Sequence, residues 1–230
     1  MITKTTDIFL DLDHTLWDFD KNSKNAFEKL LKENNLPVSI EDFLTIYEPI
    51  NKKYWEEYSQ GIKTKAEVKF GRLTDTFEVL NIKVNQEFIE YFADAYLNYL
   101  KEEKQLMPGT IEILEYLKEK YRLHILTNGF IEIQERKVVN SGLDKFFQSI
   151  ISSEEIGKQK PHPDVFNYAL RKADTYAHKS LMIGDNLKSD VLGARNIGMQ
   201  AIHYDPFNTN TIDKKIIPKV NHLLELKDIL

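Results

Sequence analysis

The chain has 230 residues, of which 42% are hydrophobic and 29% charged, a balance typical of a soluble globular protein with room for a core and an accessory domain. A net charge of −5 argues against a nucleic-acid polymer as partner, since such proteins present a basic face. There is no cysteine, so disulfides, thiolate metal sites and thiol nucleophiles are excluded; a reducing, cytoplasmic setting suits that composition. The start of the chain shows no basic segment followed by an apolar run, so no signal peptide is expected. No stretch approaches the roughly 18 apolar residues of a membrane span.

The first apolar run, Ile8-Phe9-Leu10, ends at Asp11. From about Asp18 to Lys101 the pattern is helical throughout, with no convincing buried strand. Ser39 can start a helix carrying Phe43, Tyr47, Ile50 and Tyr54, and Pro49 is expected to kink or split it. Thr64-Lys65-Ala66-Glu67 has capping-box spacing and precedes Ala66, Phe70, Leu73, Phe77 and Leu80 at helical intervals. Asn85 can cap a helix with Phe88, Phe92, Ala95, Tyr96 and Tyr99 on one stripe.

Beyond that block, short apolar runs alternate with helical patterns. Thr110 can cap a helix carrying Ile111, Leu114 and Leu117; Leu123-His124-Ile125-Leu126 then runs into Thr127, and Ser149-Ile150-Ile151 into Ser152. Pro163 suits the first turn of a helix with Phe166, Ala169 and Leu170. Leu181-Met182-Ile183 precedes Gly184-Asp185, Ser189 can cap a further helix that Gly198 stops, and Ala201-Ile202 precedes His203. Nearly continuous apolar runs read as strands buried on both faces. Their alternation with helices predicts an α/β fold, a doubly wound, Rossmann-like parallel sheet, with ligands at the strands' carboxyl ends. The expected domains are residues 1–17 with 102–230 as the α/β core, and 18–101 as an inserted helical cap.

Asp11-Leu12-Asp13-His14-Thr15-Leu16 offers two carboxylates at i and i+2 where a strand gives way to a loop. Like charges so close need a cation or a shared proton, and magnesium accepts such oxygen ligands; a pair of solvated loop acids is the plain alternative. Thr127-Asn128-Gly129 offers a hydroxyl and backbone N–H groups to an oxyanion. Lys160, before Pro161-His162-Pro163, can neutralise phosphate charge, and Gly184 to Asp190 adds Asp185 and Asp190. Taken singly, Thr127 reads as a strand-end cap and Lys160 as a surface lysine. A parallel sheet brings all four elements to one edge. The chain lacks a Gly-x-x-x-x-Gly-Lys-Ser/Thr loop, a Gly-x-Gly-x-x-Gly fingerprint and a Gly-x-Ser-x-Gly elbow, which removes the corresponding nucleotide-hydrolysing, dinucleotide-binding and serine-hydrolase classes.

Together these motifs resemble the haloacid dehalogenase-like superfamily: Asp-x-Asp-x-Thr, a strand-end Thr or Ser, a Lys, and Gly-Asp-x-x-x-x-Asp. More narrowly, Asp-Leu-Asp-His-Thr-Leu-Trp-Asp-Phe, Leu-Thr-Asn-Gly and Gln-Lys-Pro resemble its pyrimidine 5′-nucleotidases acting on unusual nucleoside monophosphates. The resemblance implies Asp11 as nucleophile forming an aspartyl-phosphate and Asp13 as general acid/base. It implies Mg2+ held by Asp11, the Asp13 carbonyl and Asp185, with Asp190 supporting it. Thr127, the Asn128 backbone and Lys160 would bind the phosphoryl group of a small phosphorylated metabolite, a nucleoside monophosphate in the narrower reading. Trp17, Asp18 and Phe19 are candidate substrate contacts. Tyr54, Trp55 and Tyr58 read as core more than as a base-stacking platform, and Arg72 as a surface residue more than an anion ligand. His14 reads as local packing or hydrogen bonding and not as a base. Other readings are a phosphatase of a sugar phosphate or phosphoglycolate, a sugar phosphomutase, a 2-haloacid dehalogenase, whose relatives usually lack a carboxylate where Asp13 stands, and a non-enzymatic phospho-accepting domain. A monomer or weak dimer is expected.

Overall fold

The structure, a computed structural model, describes residues 5–209 and 216–230; the N-terminal stretch read for a leader lies partly outside them. The chain divides into two compact units, Met1–Phe19 with Lys104–Leu230, and Asp20–Glu103.

The described residues of the first unit form six parallel strands: β1 (Asp7–Leu10), β2 (Arg122–Thr127), β3 (Ser149–Ser152), β4 (Ser180–Gly184), β5 (Gln200–Tyr204) and β6 (Lys219–Val220). Their spatial order is β3-β2-β1-β4-β5-β6. The five expected strands are all present; β6, two residues long, carries too little pattern to be read from sequence. β1 is buried throughout, as a central parallel strand covered on both faces must be. Its Leu10 pairs with Ile125 on one side and Ile183 on the other. The carboxyl ends of β1, β2 and β4 therefore emerge side by side.

The helices of this unit are α5 (Thr110–Lys118), α6 (Ile131–Asn140), α7 (Pro163–Lys172) and the single turn α8 (Gly193–Asn196). Two expected caps are corrected. Thr110 is the first helical residue of α5, and its hydroxyl donates to the Leu16 carbonyl at 3.0 Å. Ser189 sits inside a π-type turn, Leu187–Leu192, whose cap is Asn186, accepting from the Lys188 and Ser189 N–H groups. Pro163 takes the first turn of α7 as expected, where a missing N–H costs nothing.

The amino ends of the strands carry a buried polar network. Asp7, fully buried, accepts from Arg122 at 2.8 Å, Thr175 at 2.7 Å and Thr6 at 2.6 Å, and faces His124 Nε2 at 3.2 Å. Burial works against its charge, but these partners hold the Asp7 carboxyl below its usual range. Burial pushes His124 down, and Asp7 only partly offsets this.

The second unit contains α1 (Phe19–Glu33), α2 (Ile40–Ser59), α3 (Arg72–Val79) and α4 (Gln86–Leu100), α1 starting one residue before the unit. Ser39 and Asn85 cap α2 and α4 as predicted. α2 continues through Pro49 without splitting. Thr64 and Glu67 form the expected reciprocal cap, but a π-type turn follows at Glu67–Gly71. Its extra residue rotates the stripe, so Val68 is buried and Ala66 exposed. The core is aromatic: Phe27 stacks on Tyr96 at 4.0 Å and meets Tyr47 edge-on at 4.6 Å. Each such ring contributes roughly 1.5–3 kcal/mol by burial. Arg72 is buried within this core and not on the surface. It lies between the Tyr47 and Tyr96 rings at 5.7 and 5.6 Å, and donates to Asn51 Oδ1. Tyr54 and Tyr58 are buried and Trp55 half-buried, in keeping with their core reading. Among the described residues no helix is long and apolar enough to cross a membrane.

Candidate active site

Asp11 leaves β1 buried, its N–H still paired with the Ile183 carbonyl at 2.9 Å. Lys160, from the loop between β3 and α7, reaches it at 2.7 Å and donates equally closely to the Leu126 carbonyl. The same ammonium lies 2.7 Å from Asp190 Oδ1. Lys160 is only 2% exposed, so the surface reading of this lysine fails. Burial alone would lower its pKa; the Asp11 and Asp190 carboxylates outweigh that and raise it.

Asp185 follows β4. Thr15 locks it from beneath, accepting from the Asp185 N–H at 3.0 Å and donating to Oδ1 at 3.3 Å. His203 Nε2 donates to its backbone carbonyl at 2.7 Å. Asp190 accepts from the Asn186 N–H at 3.1 Å. Its carboxylate presses on Gly184, where a Cβ would lie 2.6 Å from Asp190 Cγ; glycine is required there.

Asp11, Asp185 and Asp190 thus each bring one oxygen within 4.8 Å of the others. Lys160 faces three carboxylates, Asp11 and Asp190 buried and Asp185 half-buried. Burial first, then the like charges of Asp190 and Asp185 against the pull of Lys160, push Asp11 well above the usual carboxylate range. Burial and Asp190 push Asp185 up to about 7. A cluster of hard oxygen donors with uncompensated charge fits a divalent cation such as magnesium.

Thr127 closes β2. Its Oγ1 accepts from the Gly129 N–H at 3.0 Å and from Gln134 Nε2 at 2.7 Å. With the oxygen accepting twice, the hydroxyl proton remains to be donated. Asn128 does not aim its side chain at the cluster: Oδ1 accepts from the Lys160 N–H at 2.8 Å and Nδ2 donates to the Lys160 carbonyl at 3.1 Å. The side chain thus braces the lysine loop and leaves only the backbone for a ligand.

Asp13 is half-buried, and both its oxygens are held from α6: Lys137 donates to Oδ1 at 2.8 Å and Gln134 to Oδ2 at 3.0 Å. Trp17 is fully buried; its indole N–H donates to Ser141 Oγ at 3.2 Å and its ring carries Lys137 Nζ at 4.1 Å. That removes it from the candidate substrate contacts, since it presents no surface to a ligand. Asp18 and Phe19 are half-buried. His14 adopts a positive φ of 63° and its ring packs on Phe19 at 5.0 Å, as its packing role requires.

Sequence reasoning missed Thr15's bond to Asp185, His203, Gln134 and Lys137. The last two had a signal: on α6 they fall on the apolar face with Ile133 and Val138, where a polar residue calls for a partner.

Residues 8–204 match the haloacid dehalogenase-like hydrolase family. This chain belongs to that family. It is 31% identical over 193 residues to pyrimidine 5′-nucleotidase YjjG of Escherichia coli K12, covering 84% of this chain and 82% of that one. Glyceraldehyde 3-phosphate phosphatase of Pyrococcus abyssi is 34% identical over 206 residues, 86% of this chain and 80% of that one. Among solved structures, the HAD-hydrolase YfnB of Bacillus subtilis, bound to magnesium, superposes with a TM-score of 0.90 over 99% of both chains at 27% identity.

Proposed function

We propose that this haloacid dehalogenase-like phosphatase hydrolyses nucleoside monophosphates with magnesium as cofactor, through an aspartyl-phosphate on Asp11. The observation that carries this reading is the meeting of Asp11, Asp185, Asp190 and Lys160 where β1 and β4 end. With Oδ1 of Asp11 engaged by Lys160, its second oxygen attacks phosphorus, splitting one displacement into two easier ones. Asp13 protonates the leaving oxygen and then deprotonates the hydrolytic water. Thr127, the Asn128 backbone and Lys160 hold the phosphoryl oxygens.

The Asp11 and Asp185 carboxylates and the Asp13 carbonyl would hold the metal, with Asp190 behind them. Bound there, it offsets the charge of the phosphoryl group. We assign the helical unit as a cap that selects the substrate, and the cytoplasm as the setting. Pyrimidine nucleotides are favoured by the likeness to YjjG. The likeness to the Pyrococcus phosphatase makes a small sugar phosphate the second reading.

The test is phosphate release from nucleoside monophosphates, sugar phosphates and phosphoglycolate, with magnesium and with EDTA, beside Asp11→Asn protein. Magnesium-dependent release led by pyrimidine monophosphates is expected, with the variant silent though folded. Preference for a sugar phosphate would replace the nucleotide assignment. Wild-type rates from folded Asp11→Asn would sink the nucleophile.

A further inference from the structure

We infer that Gln134 and Lys137 form a clamp on α6 that positions Asp13 for proton transfer and ties it to the phosphate-binding Thr127. The inference rests on the phosphatase reading above. The two residues are three apart on the helix, so both side chains project from one face. Lys137 Nζ meets one carboxylate oxygen of Asp13 at 2.8 Å and Gln134 Nε2 the other at 3.0 Å. Two donors on two oxygens fix the plane of the carboxylate as well as its position.

Gln134 does more than hold Asp13. Its amide nitrogen has two hydrogens; one goes to Asp13 and the other to Thr127 Oγ1 at 2.7 Å. The second contact makes the Thr127 oxygen an acceptor and turns its own proton outward. A single side chain therefore sets the distance between acid and phosphate grip, and the polarity of the grip. The surroundings are built for it: a Cβ on Gly129 would lie 2.6 Å from Gln134 Nε2, so only glycine admits the amide.

Lys137 is 2% exposed. Its ammonium is capped by the rings of Trp17 at 4.1 Å and Phe19 at 5.3 Å. Packing alone would be met by an apolar side chain, because burying an ammonium is costly without partners. Its aim at Asp13 gives the burial a purpose. A proton donor must stay within hydrogen-bond reach of the leaving oxygen in one orientation, and small displacements are expensive in rate.

The leaving group discriminates a positioning role from a structural one. 4-Nitrophenolate departs without a proton at neutral pH, whereas a nucleoside or sugar alkoxide needs one. Lys137→Met and Gln134→Leu should therefore lower kcat/KM, which reports the steps up to transfer onto Asp11, by about 100-fold for the alkyl phosphate that wild-type protein cleaves fastest, the share supplied by general acid catalysis. The loss of kcat/KM on 4-nitrophenyl phosphate should be much smaller, because hydrolysis of the shared aspartyl-phosphate, which also uses Asp13, does not enter that ratio. Lys137→Arg, which keeps the charge and a donor, should recover part of the alkyl-ester rate.

Equal losses of kcat/KM on the two substrates, or wild-type kcat/KM on both, would overturn the clamp while leaving the phosphatase intact. Should Lys137→Met fail to fold, Gln134→Leu and Lys137→Arg carry the same comparison. Wild-type protein inert towards every phosphate ester would bring down the phosphatase reading and the clamp with it.

Discussion

Replacing Lys160 with methionine removes a cation seated among Asp11, Asp185 and Asp190. Methionine fills much of the same volume, so the perturbation is chiefly one of charge. A unit pair 2.7 Å apart attracts by about 6 kcal/mol at an effective dielectric of 20, and Lys160 makes two such pairs. The desolvation of all partners cancels much of this, and breaking a buried pair typically costs about 3–5 kcal/mol. For a chain of this size that lowers the melting midpoint by about 10 °C. Thermal and urea unfolding in EDTA would measure it. Magnesium should then stabilise the variant more than the wild type, by up to about 3 kcal/mol at 100 times its dissociation constant, because the uncompensated carboxylates bind it more tightly. Turnover should fall by about 100-fold or more, the loss typical of one missing electrostatic donor. A variant within about 1 kcal/mol of wild type in EDTA, and indifferent to magnesium, would refute the charge argument.

Gly184→Ala should destabilise by about 1–3 kcal/mol, since overpacking a buried contact forces a shift, here of the Asp190 carboxylate off Lys160; chemical unfolding and kcat should both report it, and an unchanged pair would mean that the strand end yields. Acid should weaken the fold through Asp7 and His124. Both have folded pKa values below their ordinary ones, so the unfolded chain binds more protons. The His124 contribution is complete above its ordinary value of 6.5 and is lost first as pH falls; the Asp7 contribution follows below 3.8. Wild-type melting midpoints at pH 7.5 and 5.5 should therefore differ more than those of His124→Gln, and equal differences would remove His124 from the account.

What could be read from sequence was whatever depends on strand ends. Asp11, Thr127 and Asp185 follow apolar runs, and parallel topology alone delivers them to one edge. What stayed hidden depends on phase and on distant partners. The π-type turns at Glu67–Gly71 and Leu187–Leu192 shift helical register by one residue, which exposed Ala66 and took the cap from Ser189. The burial of Arg72 between two tyrosines, and of Asp7 beside His124, reflects neighbours more than 20 residues away in sequence. Lys160 could be read as a lysine for a phosphate group but not as a buried one, because lysines are usually exposed; its burial follows from two carboxylates that only the fold brings to it.

The same fold can direct an aspartate at carbon or at phosphorus, so the choice must be sought in the groups around Asp11. A halide leaves carbon as a stable anion and asks for no proton. An alkoxide leaving phosphorus does ask for one. A carboxylate held by two donors beside Asp11, as Asp13 is by Lys137 and Gln134, is placed to supply that proton, a task that the departure of a halide does not set. The remaining charge points the same way. A phosphate dianion entering beside three carboxylates and one lysine would be repelled unless a divalent cation entered with it. The acid cluster is a liability for a metal-free attack on a haloacid, itself an anion, and a requirement for a metal-assisted attack on a phosphate ester.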